Sequence, residues 1–102
     1  MDDYPTEKEL EMIRQSDGID LESIFEYIST IWHWPDLAKK LEPLEPRQIR
    51  WKFDTGGWSG NEDIIAALRS NWVVWSLSFW QETRGGHFEF RFISPIRKDK
   101  PE

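Results

Sequence analysis

Apolar residues recur along this chain at two different periods, and the change of period divides it. Leu21, Ile24, Phe25, Ile28, Ile31 and Trp32 fall at helical spacing, a stripe along one side of a helix that Asp20 caps and Pro35 ends. A shorter helix precedes it. Thr6-Glu7-Lys8-Glu9 is a capping box, Leu10 and Ile13 give the apolar edge, and Asp17-Gly18 is the stop. Residues 35–41 read as one further helical turn, and Pro43 and Pro46 bracket a stiff link over 41–47.

From Gln48 the period becomes two. Ile49, Trp51 and Phe53 alternate with Arg50, Lys52 and Asp54, the signature of a half-buried strand that Gly56-Gly57 ends. Ser59-Gly60-Asn61-Glu62 reads as a second capping box, with Ser59 as N-cap of a helix whose inner residues are Ile64, Ile65 and Leu68 and whose stop is Asn71. Residues 72–80 are rich in strand formers, with Val73, Trp75, Leu77 and Phe79 assigned to one face. Arg84-Gly85-Gly86 supplies a turn, and His87 to Ile93 follows as a strand with Phe88, Phe90 and Phe92 inward. The tail over 94–102 reads as loose. The expected order is ααβαββ: an α+β domain spanning 1–102, its small three-stranded sheet, mixed or antiparallel, packed against helices. Phe25, Ile28, Ile31, Phe53, Leu68, Phe88 and Phe90 are expected to be buried together.

Composition narrows the possibilities. With 102 residues the chain makes one domain, and its 15 aromatic residues, seven of them tryptophan, supply the area for a core and argue against disorder. The absence of cysteine removes disulfides, thiolate metal sites and cysteine nucleophiles. The longest uncharged run, from Ser70 to Gln81, is too short to cross a bilayer, and the acidic N-terminus does not resemble a secretory signal. The expected compartment is the cytoplasm, with no membrane partner.

The formal charge of −6 is unevenly spread. Residues 1–45 carry 12 acidic and 4 basic side chains, whereas residues 46–102 carry 7 and 9. An acidic helical face joined to a near-neutral sheet repels phosphate backbones and attracts basic protein surfaces. Arg47, Arg50, Lys52 and Arg91 make only a modest basic strip, and direct nucleic-acid binding is not expected. A homodimer is compatible with the pattern.

The richest candidate chemistry lies in residues 54–62. Strand, glycine loop and helix start follow one another, which directs backbone N–H groups and the helix dipole at one point and suits an anion. Trp58 adds a stacking face. The loop has no P-loop lysine and no dinucleotide fingerprint. Residues 57–61 nearly match a nucleophile elbow but end in Asn61 where that motif has glycine. A triad there would need His87 as base and Asp54 to orient it. His33 and His87 lack metal-ligand spacing; His33 reads as a helix-end residue and His87 as a hairpin residue bonded near Arg84. No cofactor, metal or catalytic residue is expected. Arg84 has a structural alternative as well, pairing with Glu62 or Glu82.

The segments starting at Thr55 (TGGWSGNEDII) and at Arg84 (RGGH) resemble a family of small proteins of tailed bacteriophages and prophages. The resemblance extends over the helix ending at His33, the strand-loop-helix unit, the tryptophan-rich stretch and the hairpin; the 41–47 link departs from it. It brings no activity with it. It implies a phage accessory protein that antagonises a host defence or regulatory protein, and marks Thr55, Gly57, Trp58, Ser59, Asn61, Glu62, Arg84, Gly85, Gly86 and His87 as motif positions. Two partners follow as expectations: a host protein with a basic surface, engaged through Trp58 and the acidic face, or a small anionic ligand such as a nucleotide held between the glycine loop and the Arg84-to-His87 turn. Both require that loop and turn lie together at the sheet end.

Overall fold

A ladder of facing aromatic residues organises the molecule. Strands β2 (Gln48–Asp54) and β4 (His87–Ile93) pair antiparallel so that Phe53 faces Phe88, Trp51 faces Phe90 and Ile49 faces Phe92 on the inner side. The computed structural model describes residues 4–94. On it, helices α1 (Glu7–Arg14) and α2 (Leu21–Ile31) precede a 3-10 turn (Pro35–Leu37) and β1 (Ala38–Leu41); β2, α3 (Ser59–Ser70), α4 (Trp72–Ser78), β3 (Phe79–Thr83) and β4 complete the order. The fold is α+β, as the alternation of periods implies.

Among the described residues the sheet has four strands, all antiparallel, in the order β1-β2-β4-β3. This corrects the expected count of three. The sequence places residues 38–41 in a helical turn, but only Pro35–Leu37 coils; the chain then extends and pairs with β2, Ala38 opposite Phe53 and Leu41 opposite Arg50. A four-residue edge strand is too short to show a period of its own, and its partner supplies the hydrogen bonds that decide it.

Phe25 of α2 closes the core. Its ring centroid lies 5.0 Å from Phe90, 5.4 Å from Phe92 and 6.1 Å from Phe53, while Trp32 lies 4.9 Å from Phe53. Each such pair adds about 0.5–1.5 kcal/mol beyond area burial. Phe25, Ile28, Phe53, Leu68, Phe88 and Phe90 share this core; Ile31 packs against it half-buried. The N-caps of both early helices are as expected. Thr6 and Glu9 form the reciprocal box at 3.1 and 2.8 Å, and the Asp20 carboxylate accepts Ser23 N–H at 3.1 Å.

Residues 72–80 are the second correction. They form α4 up to Ser78, and only from Phe79 does the chain extend into β3. Val73 and Leu77 face solvent, Val74 and Ser78 are buried, and half-buried Trp75 stacks on Phe79 at 4.6 Å. Asn71 explains the outcome. Its side-chain oxygen accepts Val74 N–H at 3.2 Å and caps α4, while its amide donates to the carbonyls of Ile13 and Ser16 at 2.9 and 2.8 Å. A cap and a packed i, i+4 pair outweigh the β-propensity of the valines.

The outer sheet face carries an ion cluster. Arg50 and Arg91 stand opposite each other and both donate to Glu89, at 3.1 and 2.7 Å. Burial pushes the Glu89 carboxyl upward, but hydrogen bonds from Arg91 and Arg50 outweigh it and hold it below the usual carboxylate range. At the far end of β4, Ser94 N–H donates to Arg47 O at 2.9 Å; of the loose tail expected over 94–102, residues 95–102 lie outside the described residues. Among the described residues no helix is long and apolar enough to cross a membrane.

Candidate functional site

The glycine loop and the hairpin turn do meet at one end of the sheet. Thr55 N–H donates to Gly86 O at 3.0 Å, and one residue earlier Asp54 Oδ1 lies 2.6 Å from His87 Nδ1. His87 is therefore bonded to its cross-strand partner, not near Arg84, because the β2–β4 register sets Asp54 directly opposite it. Gly86 has φ +82°, and a Cβ there would lie 2.3 Å from Thr55 Oγ1. Only glycine lets the turn approach Thr55 this closely.

Two motif residues are internal joints. Thr55 is buried, its hydroxyl oxygen accepting Gly57 N–H at 3.2 Å and its carbonyl accepting Trp58 N–H at 3.1 Å. Asn61 is fully buried. Its oxygen accepts His33 N–H at 3.0 Å, and its amide donates to the carbonyls of His33 and Thr55 at 3.1 and 3.3 Å. It thereby ties the end of α2 to the loop before α3, satisfying backbone groups that burial would otherwise leave unpaired. Thr55 and Asn61 thus spend their polar groups within the fold. Gly57, Ser59, Glu62, Arg84 and Gly85 are exposed, while Trp58 and His87 are half-buried.

The cap of α3 also differs. Trp58 is the N-cap residue and makes no side-chain capping bond; Ser59 is the first helical residue and its hydroxyl meets Tyr4 Oη at 3.0 Å. The box fails because Glu62 lies four residues past the cap, and Glu62 N–H closes the first turn on Trp58 O instead. For the elbow reading this removes the key contact: among the described residues the Asp54–His87 pair forms, but the partner of Ser59 is Tyr4.

Above the joint sits a set of aromatic rings. Trp58 stacks on His33 at 4.2 Å and meets Tyr4 at 4.7 Å, and His33 meets Trp34 at 4.4 Å. Gly60 permits this, since a Cβ at that position would lie 2.3 Å from the Trp58 ring. Trp34 adopts the left-handed backbone, φ +66° and ψ 81°, which costs a side-chain-bearing residue about 1–3 kcal/mol. Its ring packs against Gly56 yet stays 45% exposed, and Tyr4 is 52% exposed. Tyr4, His33 and Trp34 are absent from the sequence-derived set. The His33-Trp34-Pro35 run is the local signal for the last two, and it lies over twenty positions from Trp58.

Between loop and turn opens a cleft of about 210 Å³ lined by Thr55, Glu62, Ile65, Glu82, Gly86 and Phe88. Among the described residues two carboxylates line it and no cation does. Glu82 pairs with Arg69 at 3.3 Å, and Arg84 forms no ion pair among the described residues, so neither expected Arg84 pairing is present. No three His, Asp or Glu side chains converge as a metal site among the described residues. No protein-family model, curated protein or solved structure matches the chain.

Proposed function

We propose that this protein is a non-catalytic binding module, a phage-type accessory protein that grips a host defence or regulatory protein and blocks it. The observation that supports this reading is the ring set of Tyr4, Trp34 and Trp58: exposed Tyr4 and Trp34 packed with half-buried Trp58 around His33, and standing on the buried Asn61 joint. Aromatic side chains already held in place lose little freedom on binding, which is how a few residues come to dominate an interface. Strain kept at Trp34 is consistent with use of that ring. The acidic helical layer favours a partner with a basic surface.

A second reading, a small anionic ligand at the loop and turn, rests on the exposed Arg84 guanidinium. It ranks lower because the adjoining cleft offers Glu62 and Glu82, which repel an anion. The test is capture from bacterial lysate, identification by mass spectrometry, and titration of the purified partner against folded variants. The double variant Trp34→Ala, Trp58→Ala is expected to lose about 100-fold in affinity, the weight of two central aromatic anchors. Unchanged affinity would reject the ring set. Loss on Arg84→Ala alone would transfer the site to the turn.

A further inference from the structure

A second surface lies at the opposite end of α1. The α1 C-terminus, the connection after it and the α2 N-terminus enclose an open groove of about 470 Å³, lined by Met12, Gln15, Ser16, Asp17, Asp20, Ser23, Ile24 and Tyr27. Met12 and half-buried Tyr27 supply apolar surface above the buried Ile24, Met12 being 52% exposed, and Ile19 in the adjoining connection is 76% exposed. Methionine is suited to such a place because its unbranched, polarisable side chain adapts to what it meets. The charged residues of the lining are both acids, Asp17 and Asp20. Their orientation is fixed: Asp17 accepts Ile19 N–H at 2.9 Å, and Asp20 accepts from Ser23. The field around them has the same sign. Residues 4–31 hold seven carboxylates and two cations; Arg14 is engaged by Glu7 and Glu11 at 2.7 and 2.9 Å, and Lys40 of β1 pairs with Glu26 at 2.7 Å, which leaves the layer net acidic. Burial and the charge of Glu9 also raise the Tyr27 hydroxyl above its ordinary value.

We infer that this groove docks a cationic amphipathic helix of a partner protein, its apolar face on Met12 and Tyr27 and its lysines or arginines towards Asp17 and Asp20. A groove between two helices accepts a third by the ordinary helix-in-groove mode. Charge complementarity selects the occupant: an acidic or neutral helix would bury the same apolar area but lose the attraction, and an acidic one would be repelled. The inference is independent of the aromatic ring set, which lies beside the N-termini of α1 and α3.

The test uses the full chain and a synthetic helical peptide of about 14 residues, roughly 21 Å long, with leucines on one face and flanking lysines. A second peptide has every lysine replaced by glutamate. Calorimetry is expected to show binding of the lysine peptide, weakened by added salt, and none of the glutamate peptide. Met12→Lys should weaken the lysine peptide at least tenfold, whereas Leu77→Lys, on the exposed side of α4, should leave it unchanged. Gln15→Lys gives the same reading should Met12→Lys fail to fold. Equal binding of both peptides, no binding of the lysine peptide, or sensitivity to Leu77→Lys in place of the groove variants would overturn the inference.

Discussion

The two ends of α3 are built around the same device and put it to different uses. At each end a buried asparagine side chain makes three hydrogen bonds to backbone groups of other segments: Asn61 to His33 and Thr55, Asn71 to Ile13, Ser16 and Val74. Asn71 joins α1 to the α3–α4 corner and caps α4, whose Val74 and Ser78 turn into the core. Asn61 joins α2 to the glycine loop, and above it the chain displays Trp58, Trp34 and Tyr4. The lesson is that a polar residue in a motif does not by itself mark a contact surface. Thr55 and Asn61 hold the surface in place from below, and the rings they support are what a partner could touch.

The largest expected effect separates the two joints. Asn71→Ala and Asn61→Ala should each cost about 3 kcal/mol, since each removes three bonds and leaves buried backbone groups unsatisfied. Denaturant unfolding measures both. Only Asn61→Ala should also disturb the stacked rings, seen as a changed near-ultraviolet dichroism of tryptophan before unfolding begins. If Asn71→Ala alters that signal equally, the contrast between the joints is wrong.

A middle-sized effect comes from outside both joints and has a pH signature they lack. Glu89→Gln should cost about 1–2 kcal/mol at neutral pH, by weakening charge-assisted bonds and leaving Arg50 and Arg91 facing each other. The Glu89 carboxyl is lowered in the folded state, so its contribution is complete above the ordinary carboxylate range and is lost as pH falls through the lowered value. The gap between wild type and Glu89→Gln should therefore close in acid, while the deficits of Asn61→Ala and Asn71→Ala persist. Melting curves across that range decide it.

The smallest effect concerns Ser59. Because Ser59 is the first helical residue and not the cap, Ser59→Ala should change stability by no more than about 0.5 kcal/mol, where loss of a true N-cap would cost about 1 kcal/mol. A full 1 kcal/mol loss would mean that the hydroxyl does cap α3.

What the sequence by itself determined are the features whose physics is local or strictly periodic. The Thr6–Glu9 box, the Asp20 cap, the α2 stripe and the alternation in β2 and β4 are each written within a few residues, and each is found in the structure. The meeting of the glycine loop and the hairpin turn was legible too, since both sit at strand ends and their glycines permit close approach. Tertiary structure decided the rest. Residues 72–78 carry strand formers, yet they coil because Asn71 reaches Ile13 and Ser16, more than fifty positions away, and caps a helix on the way. Residues 38–41 carry no period, and β2 makes them a strand. Asp54 finds His87 through a register that belongs to two strands at once. Tyr4, His33 and Trp34 gather around Trp58 because α1, α2 and α3 pack, and nothing within any one segment holds that information. Local propensity is worth tenths of a kcal/mol per residue, whereas a buried hydrogen bond or aromatic contact between distant segments is worth about one, so where the two disagree the distant partner wins.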